Sequence, residues 1–183
     1  MMNADLVQSS RYKVCITTLN QKNSHGFSLV EMMVTISILG ILAAIAIPSF
    51  SEAILSTKLR SYANSLVGSA FLARAEAIKQ NAPVTLCVSA NGTSCETGGW
   101  EQGWIVLSGA TVVQRQQATA SGYKITEAAG LNSLTFQPTG IGATQATLTI
   151  CRATPEAGSQ ERIVTISATG RPSVSKTAVG TCS

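Results

Sequence analysis

Glu31 is the only ionisable side chain in residues 27–50, a stretch otherwise built from apolar residues and a few small or hydroxyl-bearing ones. A carboxylate at the centre of a bilayer costs about 2.5–3.5 kcal/mol on insertion scales, so a lone one calls for a partner and implies a function. The other reactive side chains are four cysteines, Cys87, Cys95, Cys151 and Cys182, with a fifth, Cys15, upstream of the apolar stretch. The usual catalytic sets are missing: His25 is the only histidine, no aspartate follows Asp5, and no Cys-x-x-Cys pair occurs. Residues 27–183 therefore hold no Ser-His-Asp or Cys-His arrangement, and neither a metal site nor a cofactor is expected. Glu96 and Glu101 are the nearest thing to a carboxylate dyad, but they lie in a turn-rich loop where solvated side chains are expected. The chain reads as non-enzymatic.

As a helix, the 24 residues of 27–50 would be about 36 Å long, enough to cross a hydrocarbon core of about 30 Å. A secretory signal has a shorter core, roughly 7–15 residues, with its small-residue cleavage site after it. Here the small residue, Gly26, comes first. Arg11, Lys13 and Lys22 precede the run against Asp5 alone, so the positive-inside rule predicts a cytoplasmic N-terminus and the remainder across the membrane.

Past Phe50, residues 51–82 continue as an amphipathic helix. Leu55, Leu59, Tyr62, Leu66, Val67, Ala70, Phe71, Ala73, Arg74, Ala77 and Ile78 recur at three- and four-residue steps, and Asn81-Ala82-Pro83 ends the pattern. Residues 83–183 alternate in short stretches, at 84–88, 104–108, 112–116, 123–126, 133–136, 146–151 and 162–167, separated by glycine-rich turns. The expected fold is α+β, a long N-terminal helix packed on antiparallel sheet. Cys87 and Cys95 flank an Asn91-Gly92 turn, so a local loop is their simplest closure, and Cys182 can then staple the tail to Cys151. Residues 27–183 carry ten basic side chains against eight glutamates, a balance that demands no polyanionic partner.

The order Gly26-Phe27-Ser28-Leu29-Val30-Glu31 followed by the apolar run resembles the N-terminus of type IV pilin-like subunits. The stretch from Leu86 through Cys95 to Trp100 and Trp104, with Arg162-Ile163-Val164 and Ala168-Thr169-Gly170-Arg171, is similar to the minor pilins and pseudopilins of the FimT/FimU and GspH group. The resemblance implies a leader, residues 1–26, removed by a prepilin peptidase after Gly26, and N-methylation of Phe27. It further implies a filament-core helix over 27–50 and a periplasmic pilin-like domain over 51–183. Pro48 falls where many members carry a helix-bending proline. Glu31, fifth residue of the processed chain, would meet the methylated amino terminus of an adjacent subunit. The implied partners are other pilins or pseudopilins and the inner membrane, crossed once before incorporation into a pilus or a type II secretion pseudopilus.

Some FimT-type relatives take up double-stranded DNA through a C-terminal Gly-Arg-x-Arg motif. Gly170-Arg171-Pro172-Ser173 departs from it at the second arginine. A basic patch of Arg152, Arg162, Arg171 and Lys176 is the corresponding expectation for phosphate contacts. Trp100 and Trp104 are expected to be packing residues that cap the sheet beside the Cys87–Cys95 loop.

Overall fold

The computed structural model describes residues 26–178, 180 and 182. The expected leader up to residue 25, with its basic residues, Cys15 and His25, lies outside the described residues. A single helix, α1 (Leu29–Gln80), precedes eight strands, and the described residues divide into two units between Leu42 and Ala43.

In the second unit the buried apolar positions of the helix are Leu55, Leu59, Ala63, Leu66, Ala70, Ala73 and Ala77, one stripe at three- and four-residue steps, with Ser69 buried beside them. Phe71 and Ile78, expected on that stripe, are instead about half exposed, at 46% and 49%. One residue beyond Ala70 and Ala77 is 100° further round the helix, which carries them off the buried face. Alanines dominate the second half of the stripe and so admit close approach of the strands. The helix ends on Asn81 at φ +49°, with the Ala82 amide donating to the Ala77 carbonyl at 3.2 Å, a Schellman-type stop just ahead of Pro83.

The strands form two antiparallel sheets of four rather than one. The first runs β3 (Thr111–Gln117), β2 (Gly103–Ser108), β1 (Val84–Val88), β5 (Ser133–Phe136). The second runs β4 (Tyr123–Glu127), β6 (Ala146–Arg152), β7 (Glu161–Ile166), β8 (Pro172–Thr177). Both contribute alternate residues to one core with the helix: Leu86, Val88, Val106 and Phe136 from the first, Ile125, Leu148, Ile150, Val164 and Ile166 from the second. Gly103 sits at φ +108°, and a Cβ there would lie 2.6 Å from the Gln116 carbonyl, so a side chain would push β2 off β3.

Trp100 and Trp104 are each 1% exposed and lie within the core rather than at its margin. The Trp104 indole donates to Ser69 Oγ on the helix at 2.9 Å, and the Trp100 indole donates to the Leu131 carbonyl at 2.8 Å. Disulfides join Cys87 to Cys95 and Cys151 to Cys182, with Cα separations of 5.5 and 5.6 Å.

Three carboxylates brace the backbone, the weakest being Glu101, also expected to be solvated, which accepts from the Ile125 amide at 3.4 Å. Glu96, expected to be solvated, accepts from the Ala90 amide at 2.9 Å and from Asn91 Nδ2 at 2.7 Å, which closes the loop inside the first disulfide. Glu127, buried at the end of β4, accepts from the amides of Ala129, Leu131 and Thr147 at 2.7, 2.9 and 3.2 Å. Glu127→Ala would strand three amides at the junction of β4, β5 and β6, and is expected to destabilise the fold by about 3 kcal/mol. Urea unfolding followed by circular dichroism checks this; a midpoint unchanged from wild type would show that water replaces the carboxylate without loss.

Candidate functional site

The first unit begins with Gly26, Phe27 and Ser28 in extended or irregular conformation, and the first helical amide bond runs from Met32 to the Ser28 carbonyl at 3.1 Å. Glu31 therefore lies in the first turn of α1, where the positive end of the helix dipole favours a carboxylate. Two hydroxyls within the apolar sequence bond back to the helix: Thr35 donates to the Met32 carbonyl at 2.9 Å and Ser37 to that of Met33 at 2.8 Å. Glu31 has neither a hydrogen bond nor an ion pair among the described residues, and its carboxylate is left for an outside group.

Every residue from 26 to 54 is exposed. Within 27–50 that includes fourteen large apolar side chains, from Phe27 at 72% to Phe50 at 72%. Burying each is worth about 1.5–3 kcal/mol, so together they represent tens of kcal/mol, well beyond the roughly 5–15 kcal/mol that holds a typical domain folded. Such a surface is covered by lipid or by other helices. The length and composition of α1 suffice to cross a membrane.

Of the four basic residues expected to form a patch, three come together. In the second sheet Ile150, Arg162 and Lys176 stand in one cross-strand row, and Arg152 lies two residues beyond Ile150 on the same face of β6. Arg162 is buried, at 5% exposure. Its guanidinium donates to Ser56 Oγ at 3.0 Å, Gln160 Oε1 at 3.1 Å and the Glu161 carbonyl at 2.9 Å. Desolvation pushes its pKa below the ordinary arginine value, and the charge of Arg60 pushes it further the same way. Arg162 is thus a structural bolt between β7 and α1 rather than a free phosphate ligand, which corrects its place in the expected patch. Arg171 sits apart, exposed at the β7–β8 turn, where Gly170 at φ +68° reverses the chain. Five strand residues, about 17 Å, separate it from Lys176.

Arg60 escaped the sequence reading because a lone exposed arginine on a helix carries no pattern. The available signal was its four-residue step from Ser56, which only the Arg162 contact makes meaningful.

Residues 62–170, more than half of the chain, match the family described as Type II transport protein GspH, and residues 21–47 match the prokaryotic N-terminal methylation motif. No curated protein matches the chain. Among solved structures, the type IV minor pilin FimU of Pseudomonas aeruginosa (strain PAO1) is 21% identical, with 66% of this chain and 90% of that one covered at a TM-score of 0.51. The minor pseudopilin EpsH from the Type 2 Secretion System of Vibrio cholerae is 17% identical, with 68% and 99% covered at a TM-score of 0.44. The likeness to FimU is one of fold. With the methylation motif at the head of an apolar helix and the family match across helix and both sheets, the chain belongs to the GspH family of pilin-like subunits and is a minor pilin or pseudopilin.

Proposed function

We propose that the chain is a structural subunit held in the inner membrane by residues 27–50, its N-terminus cytoplasmic and residues 51–183 periplasmic. A prepilin peptidase cuts after Gly26 and N-methylates Phe27, and the subunit then passes into the core of a pilus or secretion pseudopilus. The observation that carries this reading is the exposed apolar surface of residues 27–50, with Glu31 unpartnered at its head among the described residues. In the filament core, helix packing replaces lipid around the same side chains, and the carboxylate meets the methylated amine of a neighbouring subunit. Such a buried pair sets register more than it adds stability, because desolvation offsets much of the Coulomb gain.

The test is Gly26→Val in the native host. The variant is expected to accumulate in the membrane as an uncleaved, unmethylated precursor, read by mass spectrometry of its N-terminal peptide. Normal cleavage and methylation would sink the processing assignment. A strain lacking the chain, scored for surface pili and for exported proteins, assigns the filament by which of the two it loses. Capture of double-stranded DNA is the weaker reading, since Arg162 is committed to α1 and Arg171 stands far from Lys176.

A further inference from the structure

Arg60, Arg162 and Lys176 form a cluster of like charge in which no cation makes a direct ion pair among the described residues. Arg162 and Lys176 are direct cross-strand partners, a placement that is unfavourable for two cations. Glu52, Ser56 and Arg60 follow at four-residue steps along one edge of α1, and the Arg162–Ser56 bond brings β7 against that edge. All three acceptors of Arg162 are neutral. The Glu52 carboxylate accepts from Ser159 and Gln160 and touches none of the three cations directly, and Glu161 points to the opposite face of β7, where Thr177 reaches it at 3.4 Å. Lys79–Glu76 is the only ion pair among the described residues, so Arg60, Arg162 and Lys176 make no direct ion pair there, and Glu52 reaches Arg162 only through the Gln160 amide.

Its position says which anion it meets. Within the second unit the apolar run of membrane-spanning length ends at Phe50, with Ile54 one turn on also exposed, and Arg60 follows Phe50 by ten residues, about 15 Å along the axis. The headgroup layer takes up the first ~5–8 Å beyond the hydrocarbon core. The remaining distance is about one Debye length, ~8 Å at physiological ionic strength, and long cationic side chains shorten it by reaching back toward the interface.

We propose that the exposed cations Arg60 and Lys176, flanking the buried and fully bonded Arg162, form a site for the phosphate of an anionic phospholipid, which holds the membrane-facing end of the second unit against the bilayer before assembly. Arg162 supplies fixed charge from inside, and Arg60 and Lys176 supply the exposed contacts. The inference rests on the membrane-anchored reading above. Removing the subunit to a filament would break these contacts, so the site favours the stored state over the assembled one.

The experiment uses the full chain in neutral detergent micelles, titrated with short-chain phosphatidylglycerol, with phosphatidylcholine of the same chain length, and with a duplex DNA fragment. Preferential binding of phosphatidylglycerol is expected, weakening with salt. Each cation near an anionic surface strengthens the attraction about fivefold, so Arg60→Gln/Lys176→Gln is expected to bind about 30-fold more weakly. Lys58, exposed on the far side of the same helical turns, serves as control, and Lys58→Gln should change binding less than twofold. Equal affinity for the two lipids, or equal losses in Lys58→Gln and the double variant, would overturn the site. DNA binding that depends on Arg60 and Lys176 without a lipid preference would transfer the cluster to nucleic acid. In cells, a wild-type chain absent from the membrane fraction would defeat the anchoring reading itself; an inserted chain without lipid preference defeats only the site.

Discussion

Glu31→Ala is expected to insert into the membrane and be cleaved normally, yet to fall about a hundredfold or more in sheared filaments relative to wild type. Membrane insertion should not suffer, because the substitution removes the one charge in residues 27–50. Assembly should, because the methylated amine of a neighbour would enter the filament core without its counter-ion. Breaking a buried ion pair by deleting one partner costs about 3–5 kcal/mol, and the lower figure already exceeds a hundredfold in an equilibrium. Glu31→Gln separates the two components of the loss. It keeps an acceptor for the amine but not the charge, and recovery between alanine and wild type is expected. Quantitative immunoblotting of sheared material against the membrane fraction makes the measurement, and equal recovery of Glu31→Ala and wild type would remove Glu31 from any role in register.

The second large effect concerns the core. Trp104→Ala empties the space between α1 and the first sheet, a change worth about 3–5 kcal/mol for a buried tryptophan, comparable with the whole stability of many domains. The lost hydrogen bond contributes little of this. Ser69 Oγ also donates to the Ser65 carbonyl at 3.0 Å, so its hydroxyl proton stays paired when the indole leaves. Trp104→Phe should therefore recover most of the loss, since it restores ring volume without the donor. With a urea slope of about 2 kcal/mol/M, the alanine variant should unfold roughly 2 M earlier than wild type. Circular dichroism of the full chain in neutral detergent, disulfides intact, follows the transition. A shift as large for phenylalanine as for alanine would move the weight from packing to the Trp104–Ser69 bond.

In β8 and at Arg162 the short-range sequence pattern does not declare the structure. Pro172-Ser173-Val174-Ser175-Lys176-Thr177 shows no apolar alternation, because an edge strand with one neighbour and a mostly exposed surface needs none. It could be found only by its pairing with β7. Arg162 shares strand parity with Val164 and Ile166, both buried, so an inward arginine was implied once the register was known. Before that, Ile163 made the opposite face equally apolar. Phe71 and Ile78 failed for a related reason: a helix with apolar residues at two adjacent angles does not declare which one meets the sheet.

What the amino-acid order determined by itself was everything set by local spacing. The apolar length of residues 27–50, the lone carboxylate at its head, the helix that continues past Phe50 and stops before Pro83, and the α+β class all follow from periodicity and from the cost of charge in lipid. What only the tertiary structure decided was which distant residues share a place: two sheets instead of one, Trp104 against Ser69, and Arg162 drawn inward to Ser56 beside Arg60 while Arg171 is left 17 Å or so from Lys176. Those juxtapositions depend on strand order and register, which arise from packing the whole core at once and leave no mark at short range in the sequence.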